Sequence, residues 1–160
     1  MKLISRKQIT VVILLFFAFI PFAQSQSLYQ NECTDISNDG HITLKIWNPE
    51  KGRKYKMEDA QKDAIRVILF NGIASNEQCI GQKPLLQNEK EKSDFEKISK
   101  EFFKTNGNWQ TYIHSSNLEN ALPDKVGEKN WNVYHVTVDR TMLKKYLEEQ
   151  EIIKPLNTGF

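Results

Sequence analysis

A chain of 160 residues with 22 Lys and Arg against 20 Asp and Glu is long enough to bury a core without metal or disulfide staples. Lys2, Arg6 and Lys7 all lie in the first seven positions, so residues 26–160 carry 19 basic against 20 acidic groups, a net of −1. A nucleic-acid binder shows a clustered basic surplus, and this balance argues against that class.

The chain opens with a positive n-region, then an almost wholly apolar run from Val11 to Phe22, then "PFAQSQS", with Ala23 and Ser25 as small residues before a cut after Ser25. That layout predicts a cleaved secretory signal peptide over 1–25. The run falls short of the ~20 apolar residues of a membrane span, and Pro21 and Gln24 interrupt it. No cysteine follows the run, so no lipid anchor is expected. The expected location is outside the cytoplasm, periplasmic or extracellular, with no membrane span once the leader is gone.

Residues 26–160 read as one domain with loose termini. Ser27 to Asn38 is polar and irregular, a lead into "DGHITLKIW", where Ile42, Leu44 and Ile46 alternate with Thr43, Lys45 and Trp47 as in a half-buried strand. "NPEKGRK" breaks it. "MEDAQKDAIRVILFNGI" places Met57, Ala60, Ala64, Val67 and Ile68 at helical spacing, with Glu58 and Asp59 in the first turn and Asn71-Gly72 as the stop. Gln61, Lys62, Asp63 and Arg66 take the opposite, solvated face. "PLLQ" suggests a short strand. "SDFEKISKEFFKTNG" predicts a helix capped by Ser93 and Glu96, with Phe95, Ile98, Phe102 and Phe103 inward. "NWQTYIH" reads as a strand, Ser115 to Lys129 as a polar loop, and "NWNVYHVTVD" as the strongest strand. "DRTMLKKYLEEQ" then predicts a helix capped by Asp139 or Thr141, with Met142, Leu143, Tyr146 and Leu147 on its apolar side. The order β-α-(β)-α-β-β-α implies an α+β fold: a small mixed or antiparallel sheet of about four strands, with two to three helices packed on one face.

Catalytic motifs are missing from the sequence. There is no G-x-S-x-G elbow, P-loop or H-E-x-x-H, and His41, His114 and His135 have no metal-ligand spacing. No catalytic, cofactor-binding or metal-ligating residue is therefore expected. The two cysteines, Cys33 and Cys79, either pair across 46 residues in an oxidising compartment or stay as separate thiols; spacing alone leaves both open. The aromatics Trp47, Trp109, Tyr112 and Trp131 flank predicted strands. Sharing one exposed sheet face, they would offer a ligand or partner surface; otherwise they pack beneath the helices.

The exported start, "DGHITLKIW", the alanine-spaced "EDAQKDAIRVILFNGI" and the late "VYHVTVDRTMLKKYLEEQEII" together resemble a family of small Gram-negative envelope domains. These are the N-terminal domain of flagellar assembly protein T and the twenty-kilodalton membrane-associated lipoproteins. The resemblance covers about half of the chain after the leader, with "NPEKGRK" in place of a glycine-rich end to the first strand. It implies a non-enzymatic envelope domain that assembles with other proteins, with no family catalytic residue to carry over. The expected function is that of an exported accessory or assembly factor, with a glycan- or small-ligand-binding module as the alternative.

Overall fold

The computed structural model describes residues 29–119 and 131–155; the expected leader and the last five residues lie outside them. Four strands, β1 (Gln30–Ile36), β2 (His41–Trp47), β3 (Ile113–Glu119) and β4 (Val133–Asp139), form one antiparallel sheet in the order β1-β2-β4-β3. Three helices join them: α1 (Met57–Arg66), α2 (Glu89–Phe102) and α3 (Arg140–Glu149). The fold is the α+β class expected. No described helix is long and apolar enough to cross a membrane.

Burial alternates strictly along β2, where Ile42, Leu44 and Ile46 are fully buried and the residues between them only half-buried. Their neighbours Tyr134, Val136 and Val138 on β4 continue the same apolar layer. Ala60 and Ala64 let α1 lie close to that layer, and both are completely buried. Leu143 and Leu147 close it from α3. Met142, expected on the same face, is about half exposed; the helix begins at Arg140 behind the Asp139 cap, whose carboxylate accepts the Met142 N–H at 2.8 Å.

Five local expectations need correction. The polar lead contains an edge strand, β1, in which Cys33 alone is buried. "PLLQ" is not a strand: the N–H groups of Leu85 and Leu86 donate to the carbonyls of Ile68 and Leu69 at 3.0 and 2.9 Å, taking up acceptors that the end of a helix leaves open. That end is itself a π-turn, Val67–Asn71, closed by Gly72 N–H on the Val67 carbonyl at 2.8 Å. Gly72 has φ 74°, and a Cβ there would stand 2.3 Å from the Gln82 carbonyl oxygen, so both conformation and space require glycine. Next, α2 starts five residues early, on an Asn88/Glu91 capping box rather than Ser93/Glu96. The segment read as the strand "NWQTYIH" begins as a 3₁₀ turn over Asn108–Tyr112. Finally, the first five residues of the expected loop, 115–119, belong to β3; its remaining residues, 120–129, lie outside the described residues.

Asp63 also departs from its expected solvated position. It is 8 % exposed, accepting the Tyr55 hydroxyl at 2.8 Å and the Arg66 guanidinium at 2.7 Å. Burial, and then the adjacent Asp63 charge, push the Tyr55 phenol far above its usual range. The Tyr55 carbonyl in turn accepts from Tyr134 Oη at 3.0 Å and Asn132 Nδ2 at 3.0 Å. This chain of bonds ties the 48–55 turn to α1 and to β4. Tyr55→Phe removes one donor from a buried carboxylate, and the expected loss is about 1–2 kcal/mol in urea unfolding; an unchanged midpoint would mean that Arg66 alone satisfies Asp63.

The two cysteines are paired, with Cα atoms 6.1 Å apart. The bond pins β1 to the 74–80 loop, and Asn76 reinforces it. Its amide donates to the Cys33 carbonyl at 2.8 Å, while its oxygen accepts the N–H groups of Gln78 and Cys79 at 2.9 and 2.7 Å.

Candidate functional site: the polar face of the sheet

Because side chains alternate along a strand, the face turned away from the core is assembled from the other half of each strand. Register stacks it into cross-strand rows. Gln30, Trp47, Val133 and Glu119 share the first row, and Glu32, Lys45, His135 and Asn117 the second. Asp35, Thr43, Thr137 and Ser115 form the third. His41 opposite Asp139 ends the ladder.

Side-chain bonds run within rows and between them. Thr43 and Thr137 share a hydroxyl–hydroxyl hydrogen bond of 2.9 Å. Lys45 Nζ stands 3.0 Å from the Glu119 carboxylate, which His135 Nε2 approaches at 3.2 Å. At the far end, His41 Nδ1 lies 2.8 Å from Asp39, its Nε2 lies 3.6 Å from Asp139, and its ring meets the His114 ring at 4.3 Å. His114 reaches this face through the irregularity between Ile113 and Ser115 in β3. Cross-strand pairs of this kind each contribute a few tenths of a kcal/mol up to about 1, so the side chains of the face hold their neighbours in place.

Glu119 shows how the face is tuned. Burial raises its pKa, but the hydrogen bond and charge of Lys45, aided by His135, outweigh burial and leave it below the ordinary glutamate range. A depressed folded-state pKa means that the ionised form stabilises the fold above the unfolded value of about 4.3. That contribution disappears as pH falls through the lower folded value. Lys45→Met is expected to raise the Glu119 titration midpoint in a carboxyl-detected NMR titration and to flatten the acid limb of the stability curve. A midpoint that stays put would assign the depression to His135 instead.

The aromatic residues expected to make a surface are divided by the fold. Trp109 is 1 % exposed and Tyr112 6 % exposed. Both lie in the core, because the 3₁₀ turn repeats every three residues and brings positions 109 and 112 to one side. Trp109 donates Nε1 to the Lys104 carbonyl at 2.9 Å, and Lys62 Nζ sits over its ring at 5.1 Å. Tyr112 packs on Phe102 and Tyr146, and burial pushes its phenol up to about 12. Neither is available to a ligand. Trp47 stays on the polar face, opposite Val133, and Trp131 precedes Val133 by two residues; both are half-buried. Val133 is buried yet stands outside the core cluster, as expected of a residue that points to this other face.

Among the described residues, no group of three or more His, Cys, Asp or Glu is placed to hold a metal ion. Sequence reasoning missed the site as a unit, although its parts were visible. The alternation of β2 and β4 marks Lys45, His135 and Thr137 as outward, whereas the polar β1 and β3 carry no hydrophobic period to reveal them as strands. Comparison with protein-family models, curated proteins and solved structures finds no match to this chain.

Proposed function

We propose that this chain is an exported, non-catalytic domain of the cell envelope that acts by protein–protein contact, as an accessory or assembly factor, through the polar face of its sheet. The observation that carries the reading is the organised ladder of that face: Thr43–Thr137, Lys45–Glu119–His135 and His41–His114 are held in fixed positions. Preorganised polar groups lose little freedom when a partner docks on them. The Cys33–Cys79 bond supports an oxidising compartment, in keeping with the signal-like start of the sequence. The resemblance to flagellar assembly protein T and the twenty-kilodalton membrane-associated lipoproteins points the same way.

A photo-crosslinking residue at Asn117 or Thr137, used in intact cells, is expected to give a discrete adduct with an envelope protein, while the same probe at Glu96 on the exposed side of α2 gives none. Adducts equal at all three positions, or only free chain, would defeat the reading. The second reading, a glycan-binding module, rests on the half-buried Trp47 at one end of the face, opposite Val133, with Trp131 two residues before Val133 in the chain. Tryptophan fluorescence titrated with a panel of oligosaccharides separates the two, because contact with a protein partner predicts no response.

A further inference from the structure

A groove of about 630 Å³ opens between the start of α2, the start of α3 and the 151–154 segment. Its volume is in the range of small-molecule sites, about 300–1,000 Å³. Buried Leu85, Ile152 and Ile153 supply apolar lining. Arg140, Lys90, Lys144 and Lys154 supply the charge.

The cations are not equivalent. Lys90 is engaged with Asp94 at 2.5 Å and Lys144 with Glu148 at 3.3 Å. Arg140 has no carboxylate partner among the described residues. One of its terminal nitrogens donates to the Lys83 carbonyl at 3.3 Å, and its Nε is buried without a hydrogen-bond partner. A buried, unsatisfied donor on a permanently charged group costs free energy, and burial lowers the Arg140 pKa. Of the two acids in the groove, Glu91 is committed to the cap of α2, accepting the Gln87 and Asn88 N–H groups at 2.6 and 3.3 Å. The other, Glu151, is exposed on a residue with φ 57°. An apolar lining beside an under-partnered guanidinium fits a ligand with a hydrocarbon body and an anionic head, since planar guanidinium matches carboxylate geometry.

We infer that this groove binds a small amphipathic organic anion, with the head on Arg140 and the apolar body against Leu85, Ile152 and Ile153. Octanoate is the probe, and uncharged octanol its control. Titration of the oxidised chain, followed by the Arg140 Nε–H signal and the Ile152 and Ile153 methyl signals, is expected to give saturable shifts with octanoate and at least tenfold weaker binding of octanol. Arg140→Gln should bring octanoate down to the octanol level, while Arg140→Lys keeps part of the difference. Raising the salt concentration to 0.5 M should weaken octanoate several-fold, a result that depends on no variant folding. Equal titration by the two probes, an unchanged affinity in Arg140→Gln, insensitivity to salt, or no saturable shift would each overturn the inference.

Discussion

Removing the Cys33–Cys79 bond is expected to lower the stability of the chain by about 4 kcal/mol, the loss of loop-closure restraint on the unfolded state for a loop of this size. The cysteines are 46 residues apart in sequence, and both are buried, so the pair Cys33→Ala with Cys79→Ala adds a small cavity cost in the folded state to the lost restraint. The effect acts on the unfolded chain, whose ends at β1 and at the 74–80 loop are freed. Guanidinium unfolding of the oxidised chain and of the double variant measures it directly, and the slope should rise in the variant as its unfolded state expands. A difference below about 1 kcal/mol would mean that Asn76 and the packing of the loop already hold β1 in place in the unfolded ensemble as well.

Phe102→Ala is expected to cost about 3–5 kcal/mol, the range for deleting a large buried aromatic. Phe102 is 2 % exposed and sits at the centre of a ring cluster. Its ring meets Phe95 at 5.4 Å and Phe103 at 4.9 Å edge-on, and stacks on Tyr112 at 6.0 Å and Tyr146 at 5.5 Å. These partners come from α2, the 3₁₀ turn and α3, so one side chain joins three elements that otherwise touch each other little. Aromatic pairs add about 0.5–1.5 kcal/mol beyond area alone, which places the site toward the upper end of the range. Phe102→Leu keeps most of the volume and should cost about half as much or less. Thermal unfolding of the two variants decides the matter: equal losses would show that ring geometry, not cavity volume, sets the energy.

Legibility followed the hydrophobic period wherever one face was buried. Strands β2 and β4 show it because each alternates core and outward residues, and α1 shows it because two alanines and its aliphatic positions share one side. Strand β1 offers only Cys33 and the half-buried Ile36 to the core, and β3 is rich in Ser and Asn, so their pairing is imposed by their neighbours rather than by their own pattern. The sequence does not fix the start of α2, because Asn88/Glu91 and Ser93/Glu96 satisfy the same capping rule; only the former has both bonds in place. Asp63 reads as solvated from helical spacing because its partner Tyr55 lies across a turn from α1, where spacing along a helix carries no information. For the candidate site, the outward residues of β2 and β4 were foreseeable. The contribution of Glu119, Asn117 and His114 required the register of β3.

The strand order has a kinetic consequence. The pairs β1–β2 and β3–β4 each join strands adjacent in sequence, but the centre of the sheet joins β2 to β4, and the Thr43–Thr137 bond spans 94 residues. Contacts this distant form slowly, because the intervening chain must be ordered first. The Cys33–Cys79 link lies entirely within the earlier half. The expected sequence of events is two strand pairs formed locally, with the disulfide tying β1 of the first pair to the 74–80 loop beyond α1, and a late, rate-limiting joining of the halves along β2 and β4. The ladder proposed to meet a partner is completed only in that last step.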